Sequence, residues 1–157
     1  EASGRDLYRR SLYTFIKRSA RHPNMDVFNA PSREVCTVRR ERTNTPLQAL
    51  VLMNDPQFVE AARRLAENAL AAASETDARL DHAAMRLLSR PLNDEERPIA
   101  HDVLGQLIDH YKTRPDDARA LIATGASTPS AALAPEELAA WTLAASQMLC
   151  LDATLNK

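Results

Sequence analysis

From Thr45 onward, four prolines each stand at the head of an apolar stripe with helical spacing, and this recurrence constrains the fold more than any other feature. Proline lacks an N–H and has φ fixed near the helical value, so it suits the first position of a helix and breaks the interior. Pro46 follows Thr45, a hydroxyl residue fit to cap a helix, and Pro56 follows Asp55 in the same way. Leu47, Ala49, Leu50, Val51, Leu52 and Met53 cover every side of the segment after Pro46. That pattern predicts a helix buried on all faces, the first candidate for the centre of the core.

After Pro56, the residues Phe58, Ala61, Ala62, Leu65 and Ala69 fall on one stripe. Glu60 with Arg64, and Arg63 with Glu67, are opposite charges four apart, predicted to face water on the other side. Leu80, Ala84, Leu87 and Leu88 form a further stripe that Pro91 ends, and Asn93 followed by Glu96 has the spacing of a capping box. Ile99, Val103, Leu107 and Tyr111, widened by Leu104 and Ile108, line the next helix until Arg114 and Pro115 break it. Pro115 and Gly125 frame a short helix through Leu121 and Ile122. Residues 126–134 read as a mobile connection, rich in small and turn-forming types. Pro135, Glu136 and Glu137 open a last helix with Leu138, Trp141, Ala145, Met148 and Leu149 on its apolar face. Six helical segments after Thr45, with no repeat of fixed period, predict a mainly α fold, an irregular helical bundle over residues 46–157.

Residues 1–45 are built differently. They carry ten Arg and Lys against five Asp and Glu, a net +5, whereas the rest of the chain is −6. Four of the seven aromatics lie here, with Pro23 and Pro31 as punctuation and no sustained helical period. The β-branched and aromatic run Leu12–Ile16 predicts a short strand over residues 11–17, with a helix as the alternative. This basic, irregular, partly extended segment reads as part of a larger domain that continues upstream. The chain begins at Glu1 rather than Met, so any targeting signal is expected upstream as well.

At 157 residues, 45% hydrophobic and 26% charged, the chain has the balance of one globular domain. No apolar run reaches the roughly 18 residues that a membrane helix needs. Cys36 and Cys150 give neither CxxC nor CxxCH spacing, and read as two small buried thiols, with a bridge between them left open for an oxidising compartment.

The usual catalytic patterns are missing. His101 and His110 lie nine residues apart, about 900° around a helix, so they point opposite ways, and His22 and His82 have no ligand at i+4. Solvated or capping histidines fit better than a metal site. Asp94, Glu95 and Glu96 sit where a helix N-terminus favours negative charge. Serines lie outside GxSxG, and three glycines in all leave no phosphate-cradling loop. Arg33, Arg39, Arg40 and Arg42 form the densest positive run, following Arg9, Arg10, Lys17, Arg18 and Arg21. Because Glu34 and Glu41 interrupt it, ion pairs within the protein or an acidic protein surface fit better than nucleic acid.

Several stretches resemble a known bacterial family. They are Arg10-Ser11-Leu12-Tyr13, residues 30–36 (APSREVC), Arg39-Arg40, and above all residues 43–50 (TNTPLQAL) followed by Asn54-Asp55-Pro56. The chain resembles the C-terminal portion of the planctomycete-type, cytochrome-associated domain of unknown function numbered 1553, with Arg90-Pro91 and Ala140-Trp141-Thr142 as later landmarks. It departs at Ile16, where Trp is expected, at Asn29, where Asp is usual, at Cys150, where Asn is usual, and at Ala153, where Glu is usual. The resemblance implies a long exported protein, periplasmic or at the cell surface, with any haem in an upstream module and no cofactor in this chain.

Two functions follow as expectations. The first is a non-catalytic packing and interaction module whose partner is the upstream region of the same protein. The second is part of an enzyme, carbohydrate or redox site, lined by Arg33, Arg39, Arg40, Arg42, Asn44 and Gln48 and completed upstream. The sequence leaves the oligomeric state open.

Overall fold

The structure, a computed structural model, describes residues 4–9, 11–17, 20–32 and 34–156. Among them are eight α-helices: α1 (Pro23–Val27), α2 (Pro46–Asn54), α3 (Pro56–Ala72), α4 (Thr76–Leu88), α5 (Glu96–Thr113), α6 (Pro115–Ile122), α7 (Pro135–Leu149) and α8 (Asp152–Leu155). The chain is mainly α, with its helices packed against one another, and divides into two units, residues 1–43 and 44–157.

In the first unit, the strand expected over residues 11–17 is absent. Ser11–Tyr13 is a 3-10 turn closed by the Thr14 N–H donating to the Ser11 carbonyl at 3.1 Å, and the only β feature among the described residues is an isolated bridge between Lys17 and Ala20. Strand-favouring side chains need a neighbouring strand to pair with, and this unit supplies none among its described residues. Helix α1, not foreseen, starts on Pro23.

The second unit is ordered around α7. Its Leu138, Ala139, Ala140, Trp141, Thr142, Ala144, Ala145, Ser146 and Met148 are all buried, so the helix is enclosed on nearly every side. α3, α5 and α6 pack on it, with α2, α4 and α8 adding smaller contacts. The small side chains on α7 and the facing Ala62, Ala66 and Ala69 of α3 permit close approach between helices, while Leu138 and Trp141 fill the volume. The Thr142 hydroxyl donates to the Leu138 carbonyl at 2.7 Å, which removes the penalty of burying it.

The helix starts follow their caps. Thr45 and Gln48 form a reciprocal capping box at α2, and Asp55 accepts from the Gln57 N–H at 2.9 Å at α3. Asn93 Oδ1 accepts from the N–H groups of Glu95 and Glu96 at 3.0 and 2.7 Å, while Glu96 Oε2 accepts from the Asn93 N–H at 3.0 Å. α4 ends at Ser89, whose φ of 62° turns the chain toward Pro91.

Seven helices rather than six follow Thr45 among the described residues, α8 being the addition, and two further expectations about this unit are overturned. α2 is not buried on all faces: Gln48 and Leu52 point inward, but Leu47, Leu50 and Met53 are 54%, 58% and 45% exposed. An all-apolar helix predicts burial only if the bundle has a central place for it, and the alanine-rich α7 occupies that place. Nor does the charged side of α3 face water as a whole: Arg64 does, with its side chain 49% exposed, but Glu60, Arg63 and Glu67 are all buried.

Candidate functional site

The residues proposed from sequence separate between the units. In the first, Arg39, Arg40 and Arg42 are exposed, while Arg33 lies outside the described residues. Arg40 Nε donates to the Asn29 carbonyl at 2.9 Å. Asn29 takes a left-handed φ of 54°, and its side-chain amide donates to Thr43 Oγ1 at 2.6 Å and more weakly to the Glu41 carbonyl at 3.5 Å. Arg21 pairs with Asp26 at 2.7 Å and donates to the Ala30 carbonyl at 2.8 Å. At least these two arginines therefore brace their own unit. The same unit exposes Tyr8, Leu12, Tyr13, Val35, Val38 and Phe15, the last 82% exposed. Cys36 is a free, exposed thiol rather than a buried one.

In the second unit, Asn44 Nδ2 reaches the Cys150 carbonyl at 3.5 Å, the far limit of a hydrogen bond. Gln48 is buried, its side chain engaged in the capping box of α2. Beside them, Leu47, Leu50 and Met53 form an uncovered apolar face. Cys150 is also free; burial pushes its thiol above the ordinary value, and its Sγ donates to the Ser146 carbonyl.

Two polar constellations went unforeseen. The first lies between α3 and the α6–α7 connection. The Glu60 carboxylate accepts from the N–H groups of Ala126 and Ser127 at 2.7 and 3.1 Å, and Glu67 Oε1 accepts from the Ser130 N–H at 3.0 Å. Arg63, wholly buried, donates to Glu67 at 3.0 Å and to both the carbonyl and the hydroxyl of Ser127 at 2.7 and 3.0 Å, with its Nε left unpartnered. Arg64 pairs with Glu67 at 2.7 Å rather than with Glu60. The connection has no charged side chain of its own, so nothing in its composition announces these bonds; Gly125, read as a helix stop, was the available signal.

The second is an open depression of about 470 Å³ lined by Glu75, Thr76, Asp77, Ala78 and His101. His101 Nε2 meets Asp77 Oδ1 directly. That hydrogen bond, outweighing desolvation, holds the Asp77 carboxyl below its ordinary value, with Coulombic help from His101 and Arg97. A His–carboxylate pair can share a proton, but a tetrahedral metal asks for more ligands. No group of three or more His, Cys, Asp or Glu that could hold a metal occurs among the described residues. His82 is neither solvated nor capping at its Nε2, which is buried without a partner.

Nearby, Glu96 forms a two-pronged pair with Arg90 at 2.6 and 2.7 Å. That pairing and the Asn93 N–H hold the Glu96 carboxyl down at about 2. Glu96 is therefore a capping anion, ionised across the neutral range.

The family model described as PSD1: Protein of unknown function (DUF1553) matches residues 1–104, which include the 43–50 stretch and Asn54-Asp55-Pro56. Ala140-Trp141-Thr142 lies beyond the matched residues. No curated protein and no solved structure matches the chain.

Proposed function

The chain belongs to the PSD1 family of proteins of unknown function (DUF1553), and on that premise we propose that it is a non-catalytic packing and interaction module of a larger exported, cytochrome-associated bacterial protein. The observation that carries this reading is the uncovered face of α2, where Leu47, Leu50 and Met53 stand in solvent. Contiguous exposed apolar side chains mark interaction surfaces, because leaving them in water forgoes about 25 cal/mol for each Å² that a partner would cover. Two of its three side chains, Leu47 and Leu50, come from the 43–50 stretch, the most specific part of the family resemblance. Residues 1–43 add exposed aromatics and arginines, the types enriched at protein interfaces. The partner is the upstream region of the same protein, and haem, where the protein carries it, belongs to that region.

The test compares hydrogen exchange of α2 in this chain and in the protein extended upstream, each with and without Leu47→Ser and Leu50→Ser. We expect the extension to slow exchange across α2 and raise Tm, and the double substitution to abolish both effects. Equal exchange with and without the extension would sink the reading. Stabilisation of only the extended protein by an oligosaccharide or electron donor, lost on replacing Arg39 and Arg40, would instead favour a site completed by the upstream region.

A further inference from the structure

We propose that the connection between α6 and α7 is an acid-releasable strap, clasped onto α3 by carboxylates and freed at low pH while the helices remain folded. The case begins with what holds it. Residues 123–134 contain no fully buried side chain, and Leu133 alone of them packs against the core as a partly buried hydrophobic residue. The described anchors near its middle are polar: Ala126 and Ser127 to Glu60, Ser127 to Arg63, and Ser130 to Glu67. Gly125 lets the backbone close onto Glu60, since its φ of 105° suits glycine and a Cβ there would lie 2.4 Å from Glu60 Oε2.

The clasp depends on charge because of Arg63. Its guanidinium is fully buried, and Glu67 at 3.0 Å is its counter-ion. Protonating Glu67 leaves a buried cation unbalanced, and a buried charge that loses its partner draws water in or moves out to it. Protonating Glu60 likewise weakens the acceptor that two strap N–H groups share. The strap carries no ionisable side chain that could compensate.

Burial raises the Glu67 carboxyl, but the Ser130 N–H and the guanidinium groups of Arg64 and Arg63 outweigh it, and the net position lies below the ordinary 4.5. A carboxyl depressed by folding stabilises the clasp above its unfolded value and ceases to do so as pH falls through its folded value. Release therefore sets in below 4.5. Of the elements packed on α3, α2 has no ionisable side chain, α4 carries Asp77, Arg79, Asp81, His82 and Arg86, and α7 carries Glu136 and Glu137. Glu137 is paired with Arg79 at 3.1 Å, Asp81 with Arg97 at 3.1 Å, and Asp77 with His101. The charges that touch the strap are those of Glu60, Arg63 and Glu67.

The test is residue-resolved amide exchange, corrected for intrinsic rates, between about pH 7 and about pH 3. Protection at Ala126, Ser127 and Ser130 should fall at least about tenfold below pH 4.5, while Ala139–Ala145 of α7 stay within about threefold. Glu60→Gln with Glu67→Gln copies the protonated carboxyls. At neutral pH it should strip protection from the same three amides and open Arg63 to phenylglyoxal, which should leave the buried Arg63 of the parent unmodified. Loss of strap and α7 protection in one step, or strap amides indifferent to pH, overturns the proposal. If the double variant does not fold, the parent's pH series decides alone.

Discussion

Gly125 shows how much a single residue can carry without declaring it. In sequence it is legible as a helix stop, but α6 already ends at Ile122 with Ala123 as its cap, and Gly125 instead makes room for the Glu60 carboxylate, which packs where a side chain would begin. Gly125→Ala should lower stability by about 2 kcal/mol or more, combining a left-handed backbone strain with displacement of a buried carboxylate. Urea denaturation at neutral pH measures it; a loss within error of zero would mean that Glu60 does not hold the loop. The charged row of α3 was legible only in part. Helical spacing identified Arg63 and Glu67 as neighbours, and they are, at 3.0 Å. It could not identify what covers them, because Glu67 accepts from the Ser130 N–H and Arg63 donates to the Ser127 carbonyl and hydroxyl, and backbone groups of this kind are present in every sequence.

At the scale of elements, the signals that held were those confined to three or four residues. Thr45-Pro46, Asp55-Pro56 and Asn93 with Glu96 each start a helix with the expected side-chain bonds, since caps are local chemistry. The misread strand over residues 11–17 failed because pairing is not local. Glu96 allows the capping chemistry to be measured. Its carboxyl is depressed to about 2 from 4.5, so its contribution is present above 4.5 and fades as pH falls toward 2. The pair with Arg90 is partly exposed, with side chains 43% and 33% accessible, and solvent screening holds its worth to about 1 kcal/mol. Glu96→Gln should therefore cost about 1 kcal/mol near neutrality and almost nothing near the bottom of that window, by denaturation at both pH values. An equal cost at both would show that packing, not charge, is lost.

In the whole molecule, the exchange of roles between α2 and α7 is the central physical fact. Both helices are apolar on most sides, and composition alone favoured α2, yet α7 takes the axis because its alanines admit neighbours on every face. Leu138→Ala, at a side chain with no exposure, should cost about 2–5 kcal/mol, whereas Leu50→Ser on the open face of α2 should stay within about 0.5 kcal/mol. The same asymmetry separates the family match from the helix on which the core closes. The matched residues, 1–104, contain α2, α3, α4 and the first half of α5, but α7 lies wholly beyond them. Without α7, the apolar faces of α3 and α4, with Ala62, Ala66, Ala69, Leu70, Leu80 and Ala84, lose the element around which they close. Isolated helices of this length are marginal in water, and tertiary packing supplies most of their stability. A polypeptide of residues 1–104 should thus show little helix by circular dichroism and no cooperative melt, and adding residues 105–157 in trans should restore both. Cooperative melting of residues 1–104 alone would mean that α2, α3 and α4 close a core of their own, and α7 would then be an addition to the fold rather than its axis.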